Sequence, residues 1–141
     1  MAWRNRGLAS AEKGAALIEM ALVLPLLMMI LIGIFATARA WQVHNVMDHA
    51  AREAARHGAT LDPFDAAVAQ AVATAELAAA TVPTGTLLWC VEQGATPCGY
   101  TEIAGTEQVA IEITYPGFTL DFVFFSLTID MEAKAFARYE S

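Results

Sequence analysis

Residues 20–38 read MALVLPLLMMILIGIFATA, nineteen consecutive positions without an ionisable side chain. Wound as a helix at about 1.5 Å per residue, the run spans roughly 28 Å, close to the ~30 Å hydrocarbon core of a bilayer. An amphipathic helix of a water-soluble domain keeps a polar face, and this run has none. It is expected to cross a membrane.

Upstream stand Lys13, Gly14, Ala15, Ala16, Leu17, Ile18 and Glu19, so a carboxylate lies about one turn inside the apolar segment. A charge costs about 2.5–3.5 kcal/mol at mid-bilayer and less near the interface. Glu19 is therefore either solvated at the headgroup level or matched by a positive partner. Residues 1–14 form an expected leader, with Arg4, Arg6 and Lys13 against Glu12. That positive flank favours a cytoplasmic amino terminus, and the body of the chain is then extracytoplasmic.

The helix is expected to begin near Gly14. Pro25 lacks a donor and crowds the carbonyl of Ala21, which predicts a kink. Gly33 with Thr37, and Ala36 with Ala40, have the small-xxx-small spacing that admits a second helix. Nothing stops the helix at the membrane surface. Trp41 sits where an interfacial aromatic belongs. Beyond it Val43, Val46, Met47, Ala50, Ala51, Ala54 and Ala55 make an apolar stripe at helical spacing. Asp48–Arg52 and Glu53–Arg56 are modest ion pairs on the other side. Gly58 is a helix stop. One helix over 15–58, with its membrane part at about 15–40, is the expectation.

The remainder, 59–141, is expected to be a small extracytoplasmic head. Asp62-Pro63 has the chemistry of a helix start, Asp62 as cap and Pro63 at the first position, for a second helix over 64–80. The period then changes to two. Strands are predicted over 86–92, 107–115 and 127–137, the last two with Glu112, Thr114, Thr128, Asp130, Glu132 and Lys134 on their polar faces. The fold class is α+β: a long amino-terminal transmembrane helix, a second helix, and an antiparallel sheet of about three strands laid over the helix's outer half. Between the last two strands, residues 117–125 carry four phenylalanines. They either plug the core or meet a partner or the membrane surface.

Charge and motifs exclude several functions. After Gly58 eleven acids face only Lys134 and Arg138, a net −9, so the head repels phosphate backbones and no nucleic acid is expected as partner. Phosphate loop, dinucleotide fingerprint, nucleophile elbow and paired-cysteine zinc signature are all missing, so neither an enzyme nor a cofactor is expected. His49, Glu53 and His57 share a helix face, but they span two turns beside Arg52 and Arg56 and are taken as a solvated polar face. Cys90 and Cys98 fit an oxidising compartment, where they either form one disulfide or stay unpaired.

Taken together, the stretch from Lys13 to Ala59 resembles the TadE-like proteins of the tight-adherence (Flp) pilus system. The residues carrying the resemblance are Glu19 placed after Gly14, the Leu22-Val23-Leu24-Pro25 run, the AAREAAR element at 50–56, and the ending AKAFARYE. The resemblance implies a minor pseudopilin, cleaved after Gly14 by a prepilin peptidase. It further implies association with pilin or pseudopilin subunits and pilus assembly proteins through Glu19, Gly33 and Thr37. Residence in the bacterial inner membrane, in contact with the lipid bilayer, is part of the same expectation. Two other readings of the residues stand beside it. One is an uncleaved single-pass anchor for a small extracytoplasmic binding or adhesive domain. The other is a secreted domain whose apolar run is a signal peptide, cut near Ala38.

Overall fold

In the computed structural model one helix, α1 (Asn5–Gly58), runs 54 residues without interruption, about 80 Å at 1.5 Å per residue. The structure describes residues 5–100, 107–122 and 124–139, with side chains from Gly14 onward. The helix therefore starts earlier than the Gly14 expected from the sequence. Residues 8–13 contain neither proline nor glycine, and nothing in them breaks the ladder. The charged side chains of the leader, Arg4, Arg6, Glu12 and Lys13, lie outside the described residues. The helix continues through Pro25.

The outer part of α1 is the spine of the head. Val43, Met47, Ala50, Ala51, Ala54 and Ala55 are buried at 2% exposure or less. Alanine at four of these positions lets other elements approach the helix backbone closely. A second helix, α2 (Ala66–Ala79), packs there through Ala69, Ala73 and Leu77. Its start corrects the expectation built on Asp62. The cap is Asp65, whose Oδ1 accepts from the amides of Ala67 at 2.8 Å and Val68 at 3.3 Å. That satisfies two orphan donors of the first turn, which Asp62 lies too far upstream to reach.

Three antiparallel strands in the order β1-β2-β3 cover the other side: β1 (Leu88–Gly94), β2 (Gln108–Asp121) and β3 (Ser126–Arg138). Val109, Ile111 and Ile113 of β2 join Met131, Ala133 and Ala135 of β3 in the core against α1. Glu112, Thr114, Glu132 and Lys134 take the outer face, as the alternation predicts. At the far end Tyr139 closes the head. Its hydroxyl donates to the Leu61 carbonyl at 2.9 Å and its amide to Glu107 at 3.1 Å.

The segment 117–125 differs from expectation. Residues 117–121 belong to β2, which pairs down to Asp121 with Ser126, and only 122–125 lie between the strands. Between Tyr115↔Met131 and Phe118↔Ile129, β2 holds Pro116 and Gly117 against the single Asp130 of β3. This is a β-bulge, and two features stabilise it. Gly117 adopts φ 70°, and its amide donates to Asp130 Oδ1 at 2.8 Å. An extra residue inverts which positions face inward. Before the bulge the odd residues Ile111 and Ile113 are buried; after it Leu120 is.

Candidate functional site: the long helix and its flanks

The candidate site extends along α1. The apolar span is bare: no residue in its most hydrophobic 18-residue window is buried, and its mean hydropathy is 2.6. Leu17, Leu22 and Phe35 are more than 70% exposed, and every other large apolar residue between them is at least 39% exposed. So complete a sheath of uncovered leucine, isoleucine and methionine is tolerated only where something apolar replaces water. α1 is one helix long and apolar enough to cross a membrane.

At its inner end Ala15 and Glu19 are exposed, one helical turn apart, and a Cβ on Gly14 would meet no atom within 4 Å. No part of the described head approaches them. Near the outer end Gly33 and Thr37 are differently engaged. A Cβ on Gly33 would lie 3.7 Å from the ring of Phe122, so the close approach that glycine permits is used by the chain's own hairpin. The Thr37 hydroxyl turns back onto the carbonyls of Gly33 and Ile34, both at 3.0 Å. Just above, Thr37, Ala40, Trp41, His44, Leu120 and Ile129 line an open cleft of about 480 Å³ between helix and hairpin.

On the head, Cys90 and Cys98 are joined by a disulfide. It links β1 to a short 3-10 turn at Pro97–Gly99, and Glu92 Oε2 accepts from the Cys98 amide at 2.7 Å. These three residues are the one group of possible metal-ligand side chains that converges among the described residues. With both sulfurs bonded to each other, neither is a thiolate able to hold a metal ion. His49 and His57 are exposed, and Glu53 turns to Arg56 at 2.9 Å, whose hydrogen bond and charge hold its carboxyl below the usual range. Asp48 lies 3.7 Å from Arg52 and 3.8 Å from His44.

On the outer face of the sheet Lys134 bonds both Glu132 and the Tyr100 hydroxyl, its Nζ 4.0 Å from the ring centre. Hydrogen bonding to Glu132 and Tyr100 pushes the lysine well up. Glu132 is lowered, chiefly by Lys134, while burial and then the neighbouring Glu132 raise Glu112. This is a charge network on the outer face of the sheet.

The contact that sequence reasoning missed is that of Phe122 with Gly33. Its signal was present: Pro116-Gly117 interrupts a strand alternation that resumes, one residue out of phase, at Phe118, Leu120 and Phe122. In comparisons with known proteins, residues 14–56 match the model of a family described as TadE-like protein. The match runs from the glycine before the exposed span to the end of the buried alanine stripe, and the head beyond it lies outside. No curated protein and no solved structure matches the chain.

Proposed function

We propose that this chain, TadE-like over residues 14–56, is a pseudopilin-like structural subunit that helps assemble or anchor a type IV-related (Tad/Flp) pilus or secretion machine. One observation carries the reading. The same helix is bare over most of its apolar length and then becomes the core of a small head. Such a rod offers its inner part to lipid or to like helices while the head stays fixed to its outer end. The role is structural rather than enzymatic. The chain sits once through the inner membrane, its amino terminus cytoplasmic by the Arg4, Arg6 and Lys13 flank.

Processing and association follow from the inner end. Cleavage after Gly14 by a prepilin peptidase frees an amino group on Ala15. Glu19 of a neighbouring subunit can face that amine at the membrane boundary, where a carboxylate–ammonium pair offsets the burial of both charges and sets the axial register. The test is co-expression with the matching peptidase, read by mass. The expected result is loss of residues 1–14, blocked in Gly14→Val without loss of membrane insertion. Glu19→Gln should still be cleaved yet fail to crosslink to pilin-type partners. The competing reading is an uncleaved single-pass anchor. A chain that keeps its original start beside an active peptidase would establish that reading instead.

A further inference from the structure

The described tip of the β2–β3 hairpin is apolar and exposed. Phe122 and Phe125 stack with centroids 4.6 Å apart, and the Phe122 amide donates to the Phe125 carbonyl at 2.9 Å. Phe124 is 78% exposed, Phe125 63% and Leu127 49%. Through water these rings would be costly to display together.

Their position along α1 identifies what covers them. Phe122 lies against Gly33, well inside the uncharged run that ends at Ala38. From Gly33 to Arg39, the first charged residue beyond the run, the helix rises about 9 Å. Arg39 and Asp121, the last charged residue of β2, line the same cleft with Phe35 and Phe118. Trp41, 73% exposed, stands just above them. Two separate segments thus place their last ionisable groups at one height, and below it neither helix residues 20–38 nor Phe122, Phe124 and Phe125 carry a charge. We infer that the hairpin tip, through Phe122, Phe124, Phe125 and Leu127, is embedded in the headgroup–acyl boundary of the outer leaflet, docking the head onto the bilayer beside α1. The depth matches the roughly 5–10 Å by which interfacial elements bury their apolar faces. The bulge at Pro116-Gly117 is what turns Phe118, Leu120 and Phe122 toward the helix, so that the tip follows α1 into the lipid.

This inference rests on α1 being a membrane span, and the experiment separates the two. Spin labels are placed on the full chain, in phosphatidylethanolamine–phosphatidylglycerol vesicles, through Phe124→Cys, Ile30→Cys and Ala67→Cys. Ile30 is on the bare span, and Ala67 is an exposed residue in the first turn of α2, away from the tip. Collision with oxygen reports lipid, collision with a water-soluble nickel chelate reports water, and low access to both reports protein cover. The expected result is an oxygen-to-nickel ratio several-fold higher at Phe124→Cys than at Ala67→Cys, and lower than at Ile30→Cys. Nickel access at Phe124→Cys with lipid access at Ile30→Cys overturns the tip insertion and leaves the span intact. Low access to both reagents at Phe124→Cys overturns it in favour of a second copy covering the tip. Nickel access at Ile30→Cys overturns the span and the insertion together.

Discussion

At the scale of single residues, Gly58 shows how the same residue type can be read correctly in place and wrongly in cause. The sequence places the end of α1 there as a glycine stop, and α1 does end there. Yet Gly58 is not among the residues with positive φ. What it supplies is room: a Cβ would come within 3.1 Å of Val109 Cγ1 and 3.3 Å of both Ala69 and the Phe64 ring. Helix α2 and strand β2 converge on the last turn of α1, and Val109 and Ala69 are fully buried. Gly58→Ala therefore gains roughly 1 kcal/mol in helix propensity but meets overpacking of about 1–3 kcal/mol. The expected net is a loss of about 1 kcal/mol, a fall of several degrees in Tm for a domain this small, read by circular dichroism of the detergent-solubilised chain. An unchanged or raised melting temperature would mean that the Phe64 ring swings aside.

At the scale of elements, periodicity was enough for both long strands, because each has one face on the core and one in water. It failed at 117–125, where a bulge reverses the phase and period-two reading stops short of the hairpin end. The helix start at Asp65 was missed for a different reason: Asp62-Pro63 and Asp65 both carry cap chemistry, and only tertiary packing decides between them. The polar faces of β2 and β3 carry a testable consequence. Burial, and then the carboxylate of Glu132, raise the Glu112 carboxyl, and the folded state therefore binds that proton more tightly than the unfolded chain. Its contribution to stability is present at low pH and is lost as pH rises from the ordinary glutamate range through the folded value. Glu132, held down mainly by Lys134, contributes in the opposite sense, above the ordinary range, and loses that contribution as pH falls. Carboxyl-carbon NMR titration should find Glu112 titrating above Glu132, with Glu132→Gln lowering the Glu112 midpoint. Equal midpoints in the unmodified protein would dissolve the network.

At the scale of the whole molecule, one helix gives the chain its two environments. Its middle turns, residues 20–38, carry no ionisable side chain, and its outer turns present alanine to a sheet and a second helix. The charge follows the same division, a basic leader before the span and a net −9 beyond Gly58. Which side of the membrane holds the acidic head is tested by the two cysteines on the head itself. Cys90 on β1 and Cys98 on the 3-10 turn close a short loop whose bend is held by the Glu92 carboxylate on the Cys98 amide. In the chain-entropy account a loop of this size stabilises the fold by about 2–3 kcal/mol. A disulfide persists where no cytosolic reductant reaches it, so the bridge and the extracytoplasmic head stand or fall together. Cells whose outer permeability is opened to a thiol reagent should give a chain with neither cysteine alkylated, and two modified cysteines after prior reduction. Cys90→Ser with Cys98→Ser should lower head stability by the same about 2–3 kcal/mol without changing membrane insertion. Full alkylation before any reductant is added would place the head on the cytoplasmic side and overturn the orientation argued from Arg4, Arg6 and Lys13.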